Sequence, residues 1–278
     1  MKSILVVGIF LFTTQIAFAQ SIQPIEQNAQ KGKFFLYWGW NRGWFSKSDI
    51  QFSGADYDFE LEKVVAKDRP SAFTLDPYFH PLKFTIPQYN FRLGYFFSPN
   101  WNISLGADHM KYIVQADQPV RISGFIADST TAYRGTYQND LIALADDFLE
   151  FEHTDGLNYI NVELRRFDEL TNFRKVKINL TEGFGVGGLL PRTNTALLSK
   201  DRYDEFHLSG FGLSAMVGIN ILFYDMFFIQ TEFKGGYINM PDIRTTNSIS
   251  DKASQSFFFA QHNIVFGVVF NGKKKKKR

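Results

Sequence analysis

Five histidines (His80, His109, His153, His207 and His262) and two serines (Ser209 and Ser256) have side chains suited to nucleophilic acyl chemistry. That chemistry needs a hydroxyl, an imidazole and an acid converging on one point. Here the histidines fall across loops and strand ends, and their spacing matches no hydrolase motif. The run "GADYDFELE" sets Asp56, Asp58, Glu60 and Glu62 on one strand face, and oxygen-rich loops hold calcium. It lacks the central glycine and ligand spacing of a calcium loop, so a solvated acidic edge is expected, with no metal and no cofactor. The absence of cysteine excludes disulfides, zinc–cysteine sites and thiol nucleophiles. Lys plus Arg nearly balances Asp plus Glu, which argues against a broad basic face for nucleic acid.

Six further charges stand in a more telling context: Arg92, Asp108, Glu163, Arg165, Glu232 and Lys234. Each lies in a run of alternating apolar and polar residues, the period of a strand with one greasy face. Phe91, Leu93, Tyr95 and Phe97 flank Arg92, and Trp101, Ile103, Leu105 and Ala107 precede Asp108. Ile160, Val162 and Leu164 alternate with Asn161, Glu163 and Arg165; Phe227, Ile229 and Phe233 share a phase opposite to Gln230, Glu232 and Lys234.

The elements carrying these runs number eight, at about 33–46, 87–97, 101–114, 157–168, 175–191, 205–222, 226–240 and 255–270. Links after the second, fourth and sixth are short (98–100, 169–174 and 223–225), whereas 47–86 and 115–156 are long. Short turns at one end and long loops at the other is the transmembrane-barrel pattern. Within the first long loop, "DIQFSGADYDFELEKV" reads as strands extended beyond the membrane. Within the second, "NDLIALADDFLEFEH" has helical spacing, with Leu141, Leu144, Ala145, Phe148 and Leu149 on one side, and a short rim helix is expected.

The start, "MKSILVVGIFLFTTQIAFAQ", has a positive residue, a short apolar middle and Ala17-Phe18-Ala19, the layout of a secretory signal. Aromatic residues make up 17% of the chain, which suits lipid-facing belts. After the signal, no uncharged apolar stretch is long enough for a spanning helix. An exported, aromatic, strand-rich chain without spanning helices implies an all-β fold: a transmembrane antiparallel up-and-down β-barrel with long extracellular loops. The expected division is signal peptide 1–19, periplasmic linker 20–32, outer-membrane barrel 33–271 and basic tail 272–278. Both mature ends would then be periplasmic.

If the aromatic face meets lipid, the six charges point inward, three of each sign, and a paired network is tolerable where a lone charge is not. An eight-stranded barrel is just wide enough to be filled by its own side chains. Glu182 breaks the scheme: simple alternation sends it to lipid, and the "TEGFGVGG" run invites a bulge that would turn it inward. His109 and His262 also fall in the lipid-facing phase.

The hairpin "FRLGYFFSPNWNISLGADHMKY", the strand "GFGVGGLLPRTN", the closing "FGVVF" and the signal "AFAQ" make the chain resemble the small eight-stranded outer-membrane barrels of OmpA and OmpX type. The resemblance implies an outer-membrane address, a monomeric barrel, contact with lipid and lipopolysaccharide, and delivery by barrel assembly machinery that reads the terminal aromatic, here Phe270. Activity does not transfer with the fold. A structural role or binding through the long loops, over a filled interior, is the leading expectation. The alternatives are a lipid-modifying acyl hydrolase or transferase and a narrow small-solute pore.

Overall fold

The computed structural model describes residues 30–72, 74–78, 87–200 and 203–272. The signal, His80 and the lysine-rich tail lie outside them. Fifteen strands follow in order: β1 Lys33–Phe45, β2 Ser48–Ser53, β3 Tyr57–Val64, β4 Ala66–Lys67, β5 Tyr89–Phe96, β6 Trp101–Val114, β7 Pro119–Ile126 and β8 Gly135–Ala143. Then come β9 Leu149–Phe173, β10 Val176–Leu189, β11 Arg192–Leu197, β12 Tyr203–Phe206, β13 Gly210–Phe223, β14 Phe227–Arg244 and β15 Lys252–Asn271.

Eight of these form an antiparallel ring in the order β1-β5-β6-β9-β10-β13-β14-β15. β15 returns to β1 along its whole length, from Lys33 opposite Asn271 to Phe45 opposite Phe259, which closes the barrel. Closure satisfies every ladder edge, the condition for backbone at membrane depth. The wall is inside out. Leu105 is 58% exposed, Phe184 64% and Phe233 62%, while Arg92, Glu163 and Arg165 are fully buried. Apolar side chains facing outward in a continuous band around a charged interior define a transmembrane β-barrel.

Four differences from the sequence reading have a visible cause in the pairing. β9 starts at Leu149, because Leu149–Glu152 pairs with β11 above the lipid-facing band. The β9–β10 link shrinks to the pair Arg174-Lys175, with Phe173 opposite Val176. What reads as one strand over 205–222 is β12 and β13, separated at His207–Ser209, where the Ser209 N–H bonds Leu189 O instead of continuing a ladder. β14 runs on to Arg244 across a register shift between Met240 and Ile243. Pro241 lies in that gap, where its missing N–H costs no ladder bond.

The long loops are strands too. β2 and β3 form a hairpin that extends the sheet from the top of β15, with Lys252 opposite Ser53, and β7 and β8 continue it from β3. Their inner faces bury Ile50, Phe52, Phe59, Leu61, Ile122 and Ile126 against Phe148 and Phe151. Phe52 stacks on Phe59 at 5.3 Å and meets Phe151 edge-on at 5.6 Å. This core continues down to Tyr159, Met240 and Phe259 and caps the barrel. The expected rim helix is not formed: β8 ends at Ala143, a tight turn spans Leu144–Phe148 and β9 begins. Leu144, Phe148 and Leu149 do reach one core, but β11 offers the next residues a sheet partner, and that outweighs helical spacing.

Glu182 is corrected as well. The glycine run holds no register shift; the shift lies between Ile178 and Asn179, opposite Leu170 of β9. Glu182 keeps the outward phase, half-buried, opposite Arg166.

Candidate functional site

β1, β5, β6, β9 and β14 each project alternate residues into the lumen, and there the six charges meet. The Arg92 guanidinium donates to Glu163 Oε1 at 2.8 Å, and Arg165 donates to Glu163 Oε2 at 2.5 Å and to Glu232 Oε2 at 2.9 Å. Lys234 Nζ reaches Asp108 Oδ2 at 2.6 Å and Glu163 Oε1 at 2.8 Å. Glu163 therefore binds all three cations, and Asp108 and Glu232 complete the balance. Amides saturate the remaining lone pairs: Asn161 and Asn90 donate to Asp108, and Gln230 and Asn263 donate to Glu232. Three positive and three negative side chains with no exposed surface form a neutral plug. Such a network is tolerated because each charge is both paired and hydrogen-bonded.

Tyr37 is the member that alternation did not single out. Its hydroxyl accepts from Arg92 Nε and Arg165 Nη2, each at 3.0 Å, and joins the two guanidinium groups. β1 reads "KFFLYWGWNRGWF", aromatic on both faces, so its inward phase carries little contrast. Tyr37 stands directly before Trp38, and nothing in the spacing sets it apart.

Below the plug, at the short-turn end, an open pocket is lined by Phe35, Phe96, Phe167 and Phe228 together with Asn179 and Asn220. Above it, a second buried polar chain crosses the cap. Ser48 and Tyr112 share a hydrogen bond of 3.1 Å, Tyr112 donates to Gln255 at 3.1 Å, and Gln255 Nε2 lies 3.2 Å from His153 Nε2. His153 Nδ1 meets Thr193 Oγ1 at 2.9 Å. With Gln255 donating, the ring is a neutral imidazole carrying its proton on Nδ1. His153 lies well beyond Ile160, where the lipid-facing band of β9 begins, and burial pushes its pKa down to about 3.

The other rim candidates do not converge. His207 pairs with Asp242 at 2.9 Å, but the Ser209 hydroxyl donates to His207's own carbonyl at 3.3 Å, not to its ring. His109 stacks on Tyr89 and bonds Asn158, largely covered in its outward phase, while His262 stacks on Phe233 and faces out. Ser256 is exposed on the wall of β15. Asp58 and Glu60 alternate outward on β3, and Glu60 is raised by desolvation and by the neighbouring charges of Asp49 and Glu62. No group of three or more His, Asp or Glu able to hold a metal ion forms among the described residues.

No family model matches the sequence, and no curated relative matches it either. Solved structures with similar folds include the outer membrane protein OprG from Pseudomonas aeruginosa, 12% identical over 88% of this chain and 99% of that one, with a TM-score of 0.36. Ail, the attachment invasion locus protein of Yersinia pestis, is 10% identical over 84% and 99%, with a TM-score of 0.30. The outer membrane protease OmpT from Escherichia coli is 9% identical over 90% and 99%, with a TM-score of 0.27. Likeness at this level adds nothing to the strand order and register, which define the barrel by themselves.

Proposed function

We propose that this protein is a sealed outer-membrane barrel that carries a folded β-platform on its long-loop end, and that its role is structural or binding, not transport. The observation that carries the reading is the closure of the lumen at two levels, by the charge plug and by the apolar cap above it. A pore needs a continuous water path, and a row of fully buried charges bonded to one another leaves none at its own level. The platform supports the binding half of the reading. Its inner face is committed to the cap, and its outer face, with Asp58, Glu60 and Arg121 exposed, is free for recognition. Loops presented on a rigid barrel are where such scaffolds place function.

In this orientation the short turns and both ends face the periplasm and the platform faces out. Cell fractionation with trypsin applied to intact cells tests the arrangement. Recovery with outer membranes and cleavage only in the platform are expected. Recovery in the soluble periplasm, or cleavage only after the envelope is opened, would overturn it. The lipid A profile of matched membranes with and without the protein should be unchanged; a lost or added acyl chain would replace this reading with a lipid-modifying one.

A further inference from the structure

Two neighbouring turns at the short-turn end form a unit that neither the plug nor the platform uses. Arg174 and Lys175 make the β9–β10 turn, and Tyr224, Asp225 and Met226 make the β13–β14 turn. The Tyr224 N–H donates to Lys175 O at 2.7 Å, which ties one turn to the other. Arg174, Tyr224 and Asp225 all sit at left-handed φ, 56°, 55° and 55°. Glycine would adopt that backbone more cheaply, so the side chains at these positions come with a conformational cost.

Those side chains have a common arrangement. The Arg174 guanidinium lies 5.2 Å from the Phe173 ring centre, and Lys175 Nζ lies 5.1 Å from that of Tyr224. Phe173 and Tyr224 are 68% and 65% exposed, and Met226 and Phe227 extend the same apolar collar into the lipid-facing wall. Other cations nearby are neutralised: Arg166 pairs with Asp168 at 2.8 Å, and Lys177 pairs with Asp225 at 2.8 Å. Among the described residues, Arg174 and Lys175 have no carboxylate partner.

We infer that this double turn is a docking surface for the headgroup of an acidic glycerophospholipid in the leaflet around the short-turn end. The inference rests on the membrane-barrel reading. The aromatic rings sit at the foot of the lipid-facing band, where an acyl chain would run up the wall past Phe227. The two unpaired cations stand just beyond them, at the depth of a phosphate. Cations near an acidic surface attract it strongly enough for a pair to enrich one lipid over another. The cation–π contacts hold both heads in place without cancelling their charge.

The test is native mass spectrometry of the full chain released from phosphatidylcholine nanodiscs containing a minority of phosphatidylglycerol. Wild type should retain phosphatidylglycerol about tenfold above its bulk share. The R174Q/K175Q variant should lose that enrichment, while R166Q, whose arginine is already paired, should keep it. Equal retention of both lipids by wild type, or full enrichment in R174Q/K175Q, would overturn the proposal. A chain that fails to enter the disc fraction would remove the barrel reading and this proposal with it, and that outcome is distinguishable because no protein–lipid species would be seen.

Discussion

Arg165 and Arg166 are adjacent in the chain and opposite in circumstance. Strand alternation sends Arg165 into the lumen, fully buried between Glu163, Glu232 and Tyr37, and leaves Arg166 on the outer wall, partly exposed beside Asp168. Removing Arg165 leaves two buried carboxylates short of a cation, a loss of about 3–5 kcal/mol. Removing Arg166 breaks an exposed pair that contributes about 0–1 kcal/mol. Urea unfolding in lipid vesicles should therefore show R165L strongly destabilised and R166L near wild type; similar midpoints would contradict the plug. His153 belongs to the same scale. Its pKa falls on folding, so the unfolded chain binds the extra proton, and its contribution to stability is present above the ordinary histidine range and lost as pH falls through it. The slope from this one group is about 1.4 kcal/mol per pH unit below about 6.5. In H153Q, which keeps a polar side chain without a titrating ring, the stability of the cap should depend less steeply on pH between about 6 and 5. An unchanged slope would show that another group governs it.

At the scale of elements, β2, β3, β7 and β8 turn two long loops into a sheet whose inner face shares one apolar core with the upper ends of the ring strands. Phe59 lies at the middle of that core, stacked with Phe52 and packed on Phe148. Phe59→Ala should cost the cap about 3–5 kcal/mol, while the lipid-facing part of the barrel ring, below this core, stays intact. Limited proteolysis should then cut the platform and spare the wall; simultaneous loss of both would show one cooperative unit. The same contrast decides what was legible in the sequence. β5 and β6 alternate cleanly, so their bounds and the inward phase of Arg92 and Asp108 could be read directly. In β1, aromatic residues on both faces hid Tyr37. Over 139–153, Leu144, Phe148 and Leu149 share a side in a helix and also in a tight turn between strands, and the choice was made by β11, a partner far along the chain. The break at His207–Ser209 has a similar origin, since its backbone partners are Leu189 of β10, Pro191 just past it and Asp242 of β14.

For the whole molecule, the wall faces lipid, the cap closes one end, and the plug closes the middle. Below the plug, the short-turn end keeps an open pocket. The six charges of the plug sum to zero, so it presents no net charge to attract ions of one sign. A barrel of eight strands has little room to spare, and here the plug and the packed cap above it fill that room. With the lumen sealed as proposed, no continuous water path crosses this protein. Ion conductance across vesicle membranes tests it most directly, with insertion verified in the same preparation by protection of the wall from trypsin. Conductance indistinguishable from that of protein-free membranes is expected. Steady unitary channels from correctly inserted protein would contradict it.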